Sequence, residues 1–286
     1  MIPRLIFDAQ AALGEGAIWH AREQLLYWVD ILGKKFWRTD PATDQHEAFD
    51  VGQMVGTIVP RRPGGMLLAL HHGLATYDCS TKQLRMICDP EDGQPALRFN
   101  DGKCDPAGRF WAGTMPVEGS ARVGSLFCLH PDGRCDRMLT GVGCSNGIVW
   151  SRDARTMYYI DTVRQTVDAF DFDLTTGQIA NRRVAITVPS TMGYPDGATL
   201  DSEGMLWIAH WGGSCVTRWN PHTNDLLATI KLPTSNITSC AFGGPNLDRL
   251  YITSAGNDLK QSEPLAGAVF CVDTGVTGIP AWEFAG

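Results

Sequence analysis

Short apolar runs rich in aromatic residues recur along the chain at intervals of about 40 to 50 residues, the spacing of four-stranded propeller blades. They read Leu25-Leu26-Tyr27-Trp28-Val29-Asp30, Met66-Leu67-Leu68-Ala69-Leu70, Arg109-Phe110-Trp111-Ala112-Gly113, Met157-Tyr158-Tyr159-Ile160-Asp161, Met205-Leu206-Trp207-Ile208-Ala209 and Arg249-Leu250-Tyr251-Ile252-Thr253. After each run and a turn comes a second one: Lys35–Arg38, Gly73–Tyr77, Gly124–Cys128, Thr166–Phe170, Cys215–Trp219 and Gly267–Phe270. Most of these end in turn residues, as in Asp40-Pro41-Ala42-Thr43-Asp44, Pro131-Asp132-Gly133 and Leu174-Thr175-Thr176-Gly177, which is hairpin punctuation. No segment carries an apolar stripe at i, i+3, i+4, i+7, so helices are minor. The pattern predicts an all-β chain: a single six-bladed β-propeller over residues 1–286, with four-stranded antiparallel blades around a central channel.

A third element precedes each aromatic run. Its six copies begin Glu15-Gly16, Val55-Gly56, Asp101-Gly102, Asn146-Gly147, Asp196-Gly197 and Thr238-Ser239. The innermost strands of a propeller run side by side around the axis, so one register position in every blade converges on a small volume. Glu15, Asn146 and Asp196 are thereby predicted to meet. An isolated Asn-Gly or Asp-Gly is an ordinary turn dipeptide; recurrence at one register is what argues for a site.

Carboxylate and amide oxygens without His or Cys suit one hard divalent cation, Ca²⁺, Mg²⁺ or Mn²⁺, and such a set also accepts Zn²⁺ or Fe²⁺. Two carboxylates confined together raise each other's pKa unless a cation neutralises them. Asp101 shares the register, and we expect it to support the ligands rather than bind the metal.

Composition narrows the partners. The 286 residues are 44% hydrophobic and carry a formal net charge of −7. No basic stripe is present to follow a nucleic-acid backbone or an anionic membrane surface. The opening MIPRLIFDAQ has no signal-peptide core, and no run approaches a membrane span. Nine cysteines lie scattered without a C-x-x-C pair, several inside apolar strands, so they read as small buried hydrophobes of a cytoplasmic protein. The chain is expected to act on a small molecule as a monomer or small homo-oligomer. Asn236-Ile237-Thr238 matches a glycosylation sequon, and without a secretion signal it reads as chance.

Three motifs are set aside. Gly143-Cys144-Ser145-Asn146-Gly147 spells a nucleophile elbow, but a β-type segment follows where that motif needs a helix. Asp171-x-Asp173-x-Thr175 starts like an EF-hand loop, yet Gly177 comes one position late and Arg182 stands where the bidentate Glu belongs. Seven histidines, among them His71-His72, form no H-E-x-x-H. Trp19, Trp28, Trp111, Trp150 and Trp207 fall at repeat positions and are assigned to packing between blades.

The sequence also resembles the gluconolactonase and regucalcin group of sugar lactonases. The resemblance runs almost end to end and rests on several ordered blocks: Leu13-Gly14-Glu15-Gly16, Arg98-Phe99-Asn100-Asp101-Gly102-Lys103, Asp105-Pro106-Ala107-Gly108-Arg109, Ala112-Gly113-Thr114-Met115, Ser145-Asn146-Gly147, Tyr194-Pro195-Asp196-Gly197 and Cys240-Ala241-Phe242-Gly243-Gly244. It implies a six-bladed propeller, metal ligands at Glu15, Asn146 and Asp196, and sugar contacts at Arg98, Asn100 and Glu118. It further implies hydrolysis of an aldonolactone to its open acid, with Asp196 taking the proton of the attacking water. The match is weakest after Met115, around Pro116-Val117-Glu118-Gly119. Two other functions fit the same residues: a propeller hydrolase of organophosphates or aryl esters, and a non-catalytic calcium-binding propeller.

Overall fold

The structure, a computed structural model, describes residues 1–257, 259 and 261–286. Its strands form six four-stranded antiparallel sheets arranged as a closed six-bladed propeller. The innermost strands, one per blade, are Gly14–His20, Val55–Pro60, Leu97–Cys104, Ser145–Trp150, Tyr194–Leu200 and Ile237–Gly243. Each touches the innermost strand of both neighbouring blades, and Gly14–His20 meets Ile237–Gly243 to close the ring. In blades 1 to 5 the remaining strands follow outward in sequence order.

Blade 6 is completed by the other end of the chain. Its outermost strand is Arg4–Phe7, paired antiparallel with Val269–Asp273. Phe7 then packs edge-on against Trp37 at 5.1 Å and stacks on His46 at 3.8 Å, fastening this strand to blade 1. The ring is thus held shut by main-chain hydrogen bonds between the two termini.

Aromatic residues fill the wedges between blades as expected. Trp111 meets Trp150 and Phe172 edge-on across blades 3 and 4, Trp207 meets Phe242 across blades 5 and 6, and Trp19 stacks on Tyr251 across blades 1 and 6. Trp28 is fully buried between Trp37 and Phe7. Each such ring removes a large apolar area from water, and edge-to-face pairs add about 0.5–1.5 kcal/mol beyond burial.

The six copies of the innermost element share one irregularity. In every one the pairing to the next strand slips near the recurring dipeptide: after Glu15, Val55, Phe99, Asn146, Pro195 and Ile237. A bulge bends the strand and re-aims the side chain beside it. The glycines make room for this. Gly16 adopts φ +59°, and a Cβ on Gly56 would lie 2.3 Å from the Asn100 carbonyl oxygen.

The motifs set aside fall where the strand pattern put them. Asp173 closes the hairpin between Thr166–Phe172 and Ile179–Thr187, its Oδ1 accepting the N–H groups of Thr175 and Thr176. Ser145 begins a strand, and its buried Oγ accepts the Tyr159 hydroxyl at 2.9 Å. Ser145 is fully buried, and a Cβ on Gly113 would come within 2.0 Å of that Oγ, so the hydroxyl is packed into the blade.

Candidate functional site

A cavity of about 380 Å³ opens at the leading ends of the innermost strands. Its floor is made by Glu15, Asn100, Asn146 and Asp196, contributed by blades 1, 3, 4 and 5. Two residues ahead of each stand Leu13, Arg98, Cys144 and Tyr194, which also line it. A strand presents alternate residues to one face, so each of these four segments supplies one floor group and one wall group. Met115, Ser120, Thr162, Val163 and Trp211 complete the wall.

The trailing ends of the same strands are closed. There Trp19, Trp150 and Phe242 meet the segment Ile279–Trp282 around a pocket of only about 50 Å³. The channel therefore opens at one end among the acidic residues and is plugged with apolar side chains at the other.

A chain of hydrogen bonds fixes the floor. Arg98 Nη1 donates to Asn100 Oδ1 at 2.6 Å and to the Phe99 carbonyl at 3.0 Å. Asn100 Nδ2 donates to Asn146 Oδ1 at 3.1 Å and to the Ser145 carbonyl at 2.8 Å. Asn146 Nδ2 in turn donates to Thr162 Oγ1 at 2.8 Å, and the Thr162 hydroxyl donates to the Pro195 carbonyl, also at 2.8 Å. Both amide nitrogens are tied to protein and both amide oxygens accept a bond within the same chain, which fixes the two side chains in place. Glu15 Oε2 is steadied by the Gly16 N–H at 2.9 Å.

The two carboxyls are the strained part of the arrangement. Burial raises the Glu15 pKa to about 8, reinforced by the neighbouring charge of Asp101. Burial and the nearby Glu15 push Asp196 well above the usual carboxylate range. Asp196 Oδ1 is buried with no hydrogen-bond partner, although buried polar atoms nearly always have one. Burial alone pulls the Arg98 guanidinium down, with Cys144, Glu15 and Asp196 opposing.

These observations fit a divalent cation. An orphaned carboxylate oxygen, a second carboxylate sharing its burial, and an amide oxygen fixed from behind make an oxygen donor set whose repulsion a cation relieves. Among the described residues no group of three His, Cys, Asp or Glu side chains could hold a metal. The trio of Glu15, Asn146 and Asp196 has only two such members, its third donor being an amide.

Most of the site residues expected from sequence come together here: Glu15, Arg98, Asn100, Asn146 and Asp196 all line the one cavity. Glu118 does not. It lies exposed on the segment following the strand Phe110–Pro116, and Ser120 is the member of that segment that lines the cavity. Asp101 is buried beneath the floor, where its Oδ1 accepts the Gly102 N–H at 2.7 Å. Lys103 beside it is half-buried, and its Nζ donates to the Ala198 carbonyl. Cys144, Thr162, Val163 and Trp211 were not predicted; Cys144 was within reach of sequence reading, because it stands two residues before Asn146.

A six-bladed propeller with an acidic, amide-braced cavity at the open end of its channel defines the class of this protein. Residues 13–256 match the family model described as the SMP-30/gluconolactonase/LRE-like region, and the chain belongs to that family. It is 41% identical over 281 residues to regucalcin of Danio rerio, covering 96% of this chain and 95% of that protein. It is 35% identical over 283 residues to the provisionally named sugar lactone lactonase YvrE of Bacillus subtilis (strain 168), covering 98% and 97%. Among solved structures, a luciferin-regenerating enzyme superposes with a TM-score of 0.93 at 34% identity, covering 99% of each chain. A calcium-binding protein, regucalcin, from Agrobacterium tumefaciens superposes with a TM-score of 0.94 at 26% identity, covering 98% of this chain and 96% of that one.

Proposed function

We propose that the protein is a metal-dependent sugar lactonase that opens an aldonolactone to the corresponding aldonic acid. The observation that carries this reading is the unpartnered, buried Asp196 Oδ1 beside Glu15 and Asn146, at the floor of a cavity large enough for a sugar ring. The lactonase names among the relatives support the substrate class.

Glu15, Asn146 and Asp196 would hold the cation. When bound, a divalent cation there supplies Lewis-acid polarisation of the lactone carbonyl and lowers the pKa of water. Asp196 then receives the proton that the attacking water gives up. Water adds to the carbonyl carbon, the bond from that carbon to the ring oxygen breaks, and the ring oxygen leaves with a proton as the new hydroxyl. Arg98 and Asn100, already locked together by the 2.6 Å bond, present N–H and carbonyl groups to the ring hydroxyls and orient the substrate. Leu13, Met115, Tyr194 and Trp211 give the ring an apolar wall and keep bulk water off the floor.

The test is a panel of aldonolactones assayed with a pH indicator against wild type and Asp196→Ala, with paraoxon and an aryl ester alongside. Lactone turnover that disappears in Asp196→Ala supports the proposal. Faster turnover of paraoxon or the aryl ester assigns the cavity to those substrates, and a bound cation with no turnover of any substrate assigns a binding role.

A further inference from the structure

We propose that Thr162 is a positioning residue for the cation site, fixing the Asn146 amide so that its oxygen is the atom offered to a cation. The inference rests on the reading of Glu15, Asn146 and Asp196 as the residues that hold the cation. Thr162 opens the 3₁₀ turn Thr162–Arg164 that follows the strand Thr156–Asp161, and it lines the cavity with Asn146.

The two ends of a side-chain amide have nearly the same shape and opposite chemistry. The oxygen attracts a divalent cation and the NH2 group repels it, so an asparagine serves a metal in only one of two orientations. The hydrogen bonds around Asn146 allow one. The Pro195 carbonyl can only accept, so the single Thr162 hydroxyl proton goes to it at 2.8 Å. Thr162 Oγ1 then meets Asn146 as an acceptor, and Asn146 turns Nδ2 to it at 2.8 Å. The same Nδ2 lies 3.6 Å from Cys144 Sγ, a second, weaker acceptor.

On the opposite side Arg98 can only donate. It binds Asn100 Oδ1 at 2.6 Å, which leaves Asn100 Nδ2 to donate to the Ser145 carbonyl at 2.8 Å and to Asn146 Oδ1 at 3.1 Å. An amide oxygen has two lone pairs, so one remains on Asn146 Oδ1 for a cation. Every donor in the chain therefore points the same way, from Arg98 on blade 3 to Pro195 on blade 5. A flipped Asn146 would set N–H against N–H at Asn100 and leave Thr162 Oγ1 facing an oxygen with no proton to spare.

Thr162 is itself held. Its N–H donates to the Cys144 carbonyl at 3.0 Å, and Asp161 just before it accepts the Gly143 and Cys144 N–H groups at 3.2 and 3.0 Å. The hydroxyl thus sits on a turn bound to the segment that leads into Asn146.

The experiment titrates Mn²⁺ into chelator-stripped, full-length wild type, Thr162→Val and Thr162→Ser by calorimetry, each shown to be folded by its melting curve, with aldonolactone hydrolysis followed on the same samples. Thr162→Val should bind Mn²⁺ roughly 10–100-fold more weakly, the usual loss when a group that orients a metal ligand is removed. Its hydrolysis should recover as Mn²⁺ is raised to saturation, and Thr162→Ser, which keeps the hydroxyl, should match wild type. In an Asn146→Asp background either side-chain oxygen can face the cation, so adding Thr162→Val there should cost little affinity. If Thr162→Val does not fold, Thr162→Ala removes the same hydroxyl. Unchanged Mn²⁺ affinity in the folded variant without the hydroxyl overturns the inference alone, and so does an equal loss of affinity in both backgrounds. A wild type that takes up no cation overturns the reading of the site, and the inference with it.

Discussion

The carboxyl groups of Glu15 on blade 1 and Asp196 on blade 5 are both buried at the floor of one cavity, Glu15 Oε2 held by the Gly16 N–H at 2.9 Å and Asp196 Oδ1 left without a partner. Burial raises the pKa of both, so without a cation the pair keeps a proton near neutral pH. A group whose native pKa is raised stabilises the fold below its unfolded pKa, and that stability is lost as pH rises through the native value. For Glu15 the window runs from about 4.5 to about 8. At about 1.4 kcal/mol per unit, the loss amounts to several kcal/mol. The melting temperature of chelator-treated protein is therefore expected to fall across this window, and saturating Ca²⁺ or Mn²⁺ should flatten the dependence. A melting temperature that does not change with pH in chelator would contradict the retained proton.

Asp196→Asn separates the two parts assigned to that side chain. It removes a charge at nearly constant volume, so lactone turnover should drop by on the order of 10²–10⁴, the range for loss of a general base. The same change relieves the repulsion with Glu15, and the cation-free variant should melt higher than cation-free wild type. Calorimetry and an initial-rate assay on one preparation read both effects. A variant that is neither slower nor more stable would remove Asp196 from the site's centre.

Arg98 and Glu118 should respond differently to truncation. Arg98 is buried, lines the cavity and holds Asn100 Oδ1. Losing a charged hydrogen bond of this kind costs about 1.5–3 kcal/mol, so Arg98→Ala should lower kcat/KM by roughly 10–100-fold, chiefly through KM. Glu118 is exposed and outside the cavity lining. Glu118→Ala should alter kcat/KM by less than about threefold, since a solvated rim charge contributes little. A loss as large as that of Arg98→Ala would mean that the segment after Pro116 folds over the substrate.

Much of this architecture was legible because the inner strands are buried on both faces and announce themselves as apolar runs. Leu25–Asp30 and Met66–Leu70 begin and end where the pattern put them. The outermost strands were not located from the pattern. Gln45–Asp50 and Ile179–Thr187 are mostly exposed, and their polar residues carry no hydrophobic period. Closure by Arg4–Phe7 is a pairing between distant segments, which no local pattern encodes. In blade 6 the expected run Gly267–Phe270 slips to Val269–Asp273, because Gly267 at φ +87° belongs to the turn. The convergence of Glu15, Asn146 and Asp196 was readable from register. In blade 3 the bulge takes up both Asn100 and Asp101, so Asn100 reaches the cavity although the Asp-Gly dipeptide marked Asp101. Thr162 and Trp211 come from connections and second strands, outside the repeated element that the register argument used.

The central claim is that Glu15, Asn146 and Asp196 hold one divalent cation and that lactone hydrolysis depends on it. The most direct measurement is a titration of Ca²⁺, Mn²⁺ or Zn²⁺ into chelator-stripped protein, following bound metal by calorimetry and aldonolactone hydrolysis on the same samples. The predicted result is negligible hydrolysis without cation and a rate that rises in step with occupancy to saturation at one ion per chain. Full hydrolysis by protein shown to contain no bound metal would contradict the account.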